Sequence, residues 1–589
     1  MMSKKWIWAA LGLAVTGFGG FFLRNAGPVG EVLELAAQGG DRVLRDPMRP
    51  LRGGTRVVIF GLDGVGDDEF RRAVQEGDAP NIATLFGLEA GRDGYAHGYA
   101  MPDALSILPS TTMAAWSSVF SGHPPARSGV PGNEWFVREE RRFLAPAPVS
   151  VSGHEHTLEM LTDGLVGNAI RVPTLYDLAG VRSHVSLAPV YRGADLFTTP
   201  DPGAVADLFA EVAKGVVGEQ SVEREAYSEI DLTSVDNILE SFRERGVPDL
   251  QVVYFPGIDL FTHVASQPLI QEARYLRTVL DSAIGRVLRA YDSLGVLDDT
   301  YFVFVSDHGH TPVMSDDRHS LGIEGDDEPP AILTRTGFRT RPFVLELAED
   351  QQDYQATVAY QGAMAYVYLA DRSLCPARGD RCDWSRPPRM EEDVLPVVRA
   401  FHRTNEEGDP IPGLKGTLDL IFTREPKAPG EDALPFKVFD GRRLLPVAQY
   451  LARHPRPDLL RLAERLEGLA AGPYGHRAGD VLLLARSGLG RPIEERFYFS
   501  GPYQSWHGSP EAQDSKILIA VARTGSTAAE LERLMRRVLG DRPSQLGVVE
   551  LVRALLAQPA AAAAAGASSE NTAAPAKAGA VGEAAGSAP

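Results

Sequence analysis

Three short, nearly unbroken apolar runs constrain the fold of this chain more than any other feature: RVVIF (residues 56–60), LQVVYF (250–255) and YFVFVS (301–306). Strands without polar alternation are covered on both faces, the condition of a parallel sheet between two layers of helices. The text between them agrees, because residues 172–178, 204–214, 234–245 and 269–294 all carry helical patterns. Such alternation indicates an α/β fold with a mostly parallel, helix-flanked sheet. In sheets of this kind ligands gather beyond the carboxyl ends of the strands.

Chemistry-bearing residues stand at those ends. Asp63 follows the first run, in GLDGVGDDEF. Asp259 and His263 follow the second, spaced to share one side of a helical turn. Asp307 and His308 follow the third, in SDHGH, and His507 stands in SWHGSP just before a core-like segment at 515–522. Singly, each has an ordinary explanation, such as a helix N-cap or a surface histidine. Together, three Asp and three His at one sheet edge would be a costly unpaired polar cluster, yet they are the N/O set that zinc or a similar divalent ion prefers. Two sites of about three protein ligands each leave positions open for a substrate and a nucleophile.

A nucleophile is available at residues 109–135, PSTTMAAWSSVFSGHPPARSGVPGNEW. Ser110, Thr111 and Thr112 precede a helix-compatible run over 113–120 that Gly122 and Pro124 stop. The positive end of a helix dipole favours both an alkoxide and a phosphate. Without the metal ligands elsewhere, the same hydroxyls would read as a plain N-cap.

These motifs resemble the alkaline phosphatase superfamily, and within it the type I phosphodiesterase/nucleotide pyrophosphatase family. The resemblance covers residues 56–312 and the surroundings of His507. The family's P-[TS]-x-T, followed by a helix and [TS]-G-x-x-P, is matched by Pro109, Ser110, Thr111 and Thr112, then Ser121, Gly122 and Pro125. The resemblance implies an alkaline-phosphatase-like fold and Thr112 as the nucleophile. It also implies one metal on Asp63, Asp307, His308 and the Thr112 oxygen, and a second on Asp259, His263 and His507. Asn133, in PGNEW, takes the place of the family's phosphate-binding Asn. Two divalent ions, expected to be zinc, and a phospho-threonine intermediate follow from the same likeness. There are departures: P-x-x-H-G reads Pro125, Ala126, Arg127, Ser128, Gly129, while Ile258 and Thr262 replace a Pro and a Gly. SDHGM reads SDHGH, adding His310, which is taken as a supporting or surface histidine rather than a ligand.

The substrate class implied is a small phosphate ester, most simply a diester, because Asn133 favours diesters and Arg127 is expected to face solvent. A phosphomonoesterase, phosphonate hydrolase or phospho-transferase of the same superfamily is the enzymatic alternative, and a non-catalytic envelope scaffold the other. The sulfatase signature C-x-P-x-R is absent. A net charge of −19 speaks against a nucleic-acid polymer as partner.

Lys4 and Lys5 precede an uncharged apolar run over residues 6–23, an export signal that favours a membrane anchor over a cleaved peptide. The chain is therefore expected to be exported. Its only cysteines, Cys375 and Cys382, are expected to form a local disulfide. The expected organisation is a signal or anchor segment (1–24), a linker (25–54), a catalytic core (55–338), an inserted lobe or cap (339–496), completion of the core (497–557) and a disordered tail (558–589).

Overall fold

The computed structural model describes residues 41–88, 94–150, 155–217, 224–322 and 328–560. The expected N-terminal anchor and nearly all of the expected tail lie outside them. Two larger sheets carry the fold, and the first strands they use are β1 (Asp41–Val43), β2 (Arg56–Leu62), β3 (Gly98–Ala100), β4 (Ser183–Ser186), β5 (Leu196–Thr198), β6 (Leu250–Phe255) and β7 (Thr300–Ser306). Then follow β8 (Ala356–Gln361), β9 (Met364–Leu369), β10 (Leu418–Thr423), β11 (Lys437–Phe439), β12 (Leu444–Pro446), β13 (Val481–Ala485) and β14 (Ile519–Ala522). The larger sheet has the order β1-β5-β4-β6-β2-β7-β14-β3. Its middle, from β5 through β4, β6 and β2 to β7, is parallel, and the outer pairs are antiparallel. The three apolar runs are its adjacent central strands, β6, β2 and β7, all buried.

Helices cover both faces, as alternate side chains of β2 make plain. Phe60 stacks on Phe302, whose ring meets Tyr291 of the helix Asp281–Ser293. The next residue, Gly61, faces Trp116 of helix α1 (Thr112–Ser121) on the other side. A Cβ on Gly61 would stand 2.9 Å from the indole, so the glycine lets α1 lie directly on the sheet.

The second sheet, β8-β9-β13-β10-β11-β12, is antiparallel throughout. It occupies the stretch expected to form a separate lobe. Cys375 and Cys382 are joined there.

Some local expectations differ. Part of the expected linker is sheet: Asp41–Val43 pairs with β5, and the Arg49 guanidinium lies 2.8 Å from the Asp195 carboxylate. Three residues are too few to show a strand period. The pattern over 269–294 is two helices, Pro268–Tyr275 and Asp281–Ser293, joined by a π turn over Leu276–Leu280. The helix expected over 172–178 begins at Leu175, because Thr174 caps it through Asp177. No helix among the described residues is long and apolar enough to cross a membrane.

Candidate metal centre and nucleophile

Asp63, Asp307 and His308 leave the carboxyl ends of β2 and β7, while Asp259 and His263 lie on the helix Gly257–Val264 that follows β6. His507 comes from the loop before β14 and reaches the same place. All six are buried. Their ligand-capable atoms form close groups: Asp63, Asp307 and His308; Asp259, His263 and His507; and Asp259, His308 and His310.

Five of the six, all but Asp259, are oriented by a hydrogen bond that leaves the other polar atom facing the cluster. The Tyr254 hydroxyl donates to Asp63 Oδ2, and Gly64 N–H donates to Asp307 Oδ1 at 3.1 Å. His263 Nδ1 meets the Ser505 carbonyl at 2.8 Å, and His507 Nδ1 meets the Ser110 carbonyl at 2.9 Å. His308 Nδ1 lies 3.3 Å from the Gly309 carbonyl. Carbonyls only accept, so all three rings carry hydrogen on Nδ1 and turn a lone pair on Nε2 inward. Asp63 Oδ1, Asp259 Oδ1, Asp307 Oδ2, His263 Nε2 and His507 Nε2 are buried without a hydrogen-bond partner. Orphaned oxygen and nitrogen lone pairs at this density are costly unless a cation sits among them. The donor set fits a divalent ion of the zinc type, and the outer hydrogen bonds are those that fix metal ligands.

Electrostatics agree. Burial, with Asp307 and Asp259 nearby, pushes the Asp63 carboxyl well above its usual range. Burial also raises Asp307, to about 7. Burial lowers His263 to about 4 and His308 to about 3, and pushes His507 well down. Among the described residues no arginine or lysine pairs with the three carboxylates, whose ion-pair partners are all histidines. Arg127 is exposed, as expected.

Thr112 is the first residue of α1, and its Oγ1 lies 3.3 Å from His308 Nε2. Asn133 reaches the same helix end, where its Oδ1 accepts the Met113 N–H at 3.0 Å. That bond takes one of the helix amides expected to face a phosphate, and it fixes which end of the Asn133 amide is oxygen. Ser110 ties this loop to the His507 loop twice: its carbonyl holds His507 Nδ1, and its hydroxyl donates to the Ser509 carbonyl at 3.0 Å.

The sequence pattern passed over three supports. Tyr254 reads as one more apolar position of β6, and Ser505 as a loop residue. Gln361, at the end of β8, accepts the Asn133 N–H at 2.7 Å and donates to the Glu134 carbonyl. Of the two readings of His310, supporting or surface, the surface one is excluded: it is fully buried, with Nε2 2.9 Å from Asp259 Oδ1. Its mark was in the sequence, as the histidine added to SDHG.

The family model for Type I phosphodiesterase / nucleotide pyrophosphatase matches residues 57–371. No curated protein matches the chain by sequence. Among solved structures, murine ectonucleotide pyrophosphatase / phosphodiesterase 5 (ENPP5, NPP5) is similar at 11% identity and TM-score 0.46, over 86% of this chain and 96% of that one. The human protein of the same name is similar at 11% identity and TM-score 0.48, with the same coverage. The family match spans more than half of the sequence, and on that ground the chain belongs to the type I phosphodiesterase / nucleotide pyrophosphatase family, a family of metal-dependent phosphoric ester hydrolases.

Proposed function

We propose that this protein hydrolyses small phosphodiesters in two displacements through Thr112. The observation that carries the reading is the placement of Thr112 Oγ1 at the N-terminus of α1, 3.3 Å from His308 Nε2. Asp63, Asp307 and His308 would hold one divalent ion together with the Thr112 oxygen, and Asp259, His263 and His507 the other; zinc suits both sets. Bound there, the ions would lower the hydroxyl pKa and offset the charge of the phosphate and the leaving oxygen.

The Thr112 oxygen attacks phosphorus in line and the first ester oxygen leaves. The product is a phospho-threonine, which carries the second organic group when the substrate is a diester. Water then cleaves the Thr112–phosphate bond and restores the hydroxyl. Asn133 uses its oxygen on Met113 N–H, so its amide NH₂ is the end available to a non-bridging phosphate oxygen. A diester is favoured over a monoester because among the described residues no arginine or lysine pairs with the carboxylate cluster, whose partners are histidines, and Arg127 is exposed.

The cysteine pair, joined in the structure, supports a place outside the cytosol, with the apolar N-terminal run as anchor or export signal. We assign residues 55–338 and 497–557 to the catalytic core and residues 339–496 to the inserted lobe.

The test compares kcat/KM for a nitrophenyl phosphodiester with that for the corresponding monoester, using zinc-loaded protein and its Thr112→Ala variant. A ratio well above one is expected, with turnover of the variant lower by about 10³-fold or more and its metal content unchanged. A ratio below one would overturn the diester assignment, and an active variant would overturn the nucleophile.

A further inference from the structure

His310 is the surplus histidine of this cluster, and its surroundings give it a direction. Ser505 Oγ donates to the Thr262 carbonyl at 2.8 Å, which spends its only hydrogen. Toward His310 Nδ1, 3.1 Å away, the same oxygen therefore accepts. His310 thus has a hydrogen on Nδ1, which in the neutral ring leaves a lone pair on Nε2, the arrangement found in His263, His308 and His507. Nε2 is buried, has no hydrogen-bond donor and faces Asp259 Oδ1 at 2.9 Å, an oxygen equally without a donor. Two bare lone pairs at this separation repel unless a cation joins them.

The backbone keeps the place clear. Gly64, at φ +71°, passes so close that a Cβ would stand 2.6 Å from His310 Nε2 and 2.9 Å from Asp259 Oδ1. Only glycine serves there. The grouping of Asp259, His308 and His310 does not make an independent third site. Its His308 Nε2 is the nitrogen that serves Asp63 and Asp307, and its Asp259 oxygen is the one that serves His263 and His507. What remains over is a single nitrogen beside Asp259.

We propose that His310 is a metal ligand through Nε2, an additional imidazole on the ion bound by Asp259. The inference rests on the metal-centre reading above. It widens the excess of nitrogen at this centre over the Asp63 centre from one imidazole to two, so the two ions differ in affinity, with the Asp259 ion held more tightly and lost last to a chelator.

The experiment uses the full chain, stripped with a chelator and reloaded with cobalt(II) as a spectroscopic probe or with zinc in competition with a chromophoric chelator. His310→Asn keeps an amide near the Nδ1 position, to meet Ser505, and removes the inward nitrogen. His310→Gln returns a polar atom near the Nε2 position. Ser505→Ala removes only the support. The expected result is that His310→Asn weakens the tighter zinc by roughly ten-fold or more and alters the cobalt absorption bands. Ser505→Ala should have a smaller effect, and His310→Gln an intermediate one. If His310→Asn does not fold by circular dichroism, the His310→Gln comparison with wild type carries the test. Unchanged zinc affinity and an unchanged cobalt spectrum in a folded His310 variant would overturn the proposal, leaving His310 as a proton-bearing partner of Asp259. Wild-type protein that takes up no metal would instead overturn the metal-centre reading itself.

Discussion

At the scale of single residues, the site depends on hydrogen bonds that occupy one atom of each polar side chain and free the other. Tyr254 does this for Asp63. Tyr254→Phe should lower metal affinity by roughly ten-fold while the fold survives, measured by chelator competition and thermal unfolding; unchanged affinity would make Tyr254 a packing residue only. The titration pattern gives a second outcome. Burial, with Asp259 adding to it, raises Asp307 to about 7, and burial lowers His263 to about 4 and His308 to about 3. Near neutrality these two histidines are already neutral, so the protons an incoming ion displaces sit on the carboxylates. A carboxyl with a raised pKa holds its proton below that value, so metal affinity rises with pH through about 7 as Asp307 loses its proton. Zinc titration in weak buffer should release more protons at about pH 6, where Asp307 holds its proton, than at about pH 8, and equal release at both would contradict the assignment. The ligand candidates were legible because short polar motifs follow the apolar strands. Tyr254 and Ser505 were not, since a tyrosine in a buried strand reads as core and a serine in a loop as solvent-facing. Their roles exist only where distant segments meet.

Among the elements, α1 and the β8–β9 turn do most to hold the reacting groups. Trp116 seats α1 against Gly61 and packs edge-on to Tyr254, with ring centroids 5.2 Å apart. The side chain that seats the Thr112 helix thus touches the residue that orients Asp63. The β8–β9 turn comes from the second sheet and grips two loops at once. Gln361 binds Asn133 N–H, and Ala363 N–H donates to the His507 carbonyl at 3.0 Å. Gly362 has φ +66°, and a Cβ there would strike that same carbonyl, so the close approach requires glycine. Gln361→Ala should reduce kcat/KM for a diester by about ten-fold, by loosening Asn133, without changing metal content. A loss of bound metal would show instead that the turn acts on His507 first. The central strands could be read from the sequence because burial on both faces leaves an unbroken apolar run. The edge strand β1 could not, and the π turn at Leu276–Leu280 leaves the helical pattern nearly intact and so escapes notice.

For the molecule as a whole, two sheets of different character meet at one site. The parallel part of the larger sheet delivers the carboxylates and histidines at its strand ends, while the antiparallel sheet braces the loops that carry Asn133 and His507. The antiparallel sheet was legible as a change of text, with alternating strands, many prolines and the cysteine pair. Its contact with the site was not, because it runs through a turn of three residues far from either loop in sequence. Acid quenching of zinc-loaded protein during turnover of a nitrophenyl phosphodiester, followed by peptide mass spectrometry, asks whether the chemistry passes through this convergence. The expected result is a phosphoryl adduct on the peptide containing Thr112, present during turnover and absent in Thr112→Ala. Rapid turnover with no adduct on any residue, or an adduct on a residue other than Thr112, would contradict it.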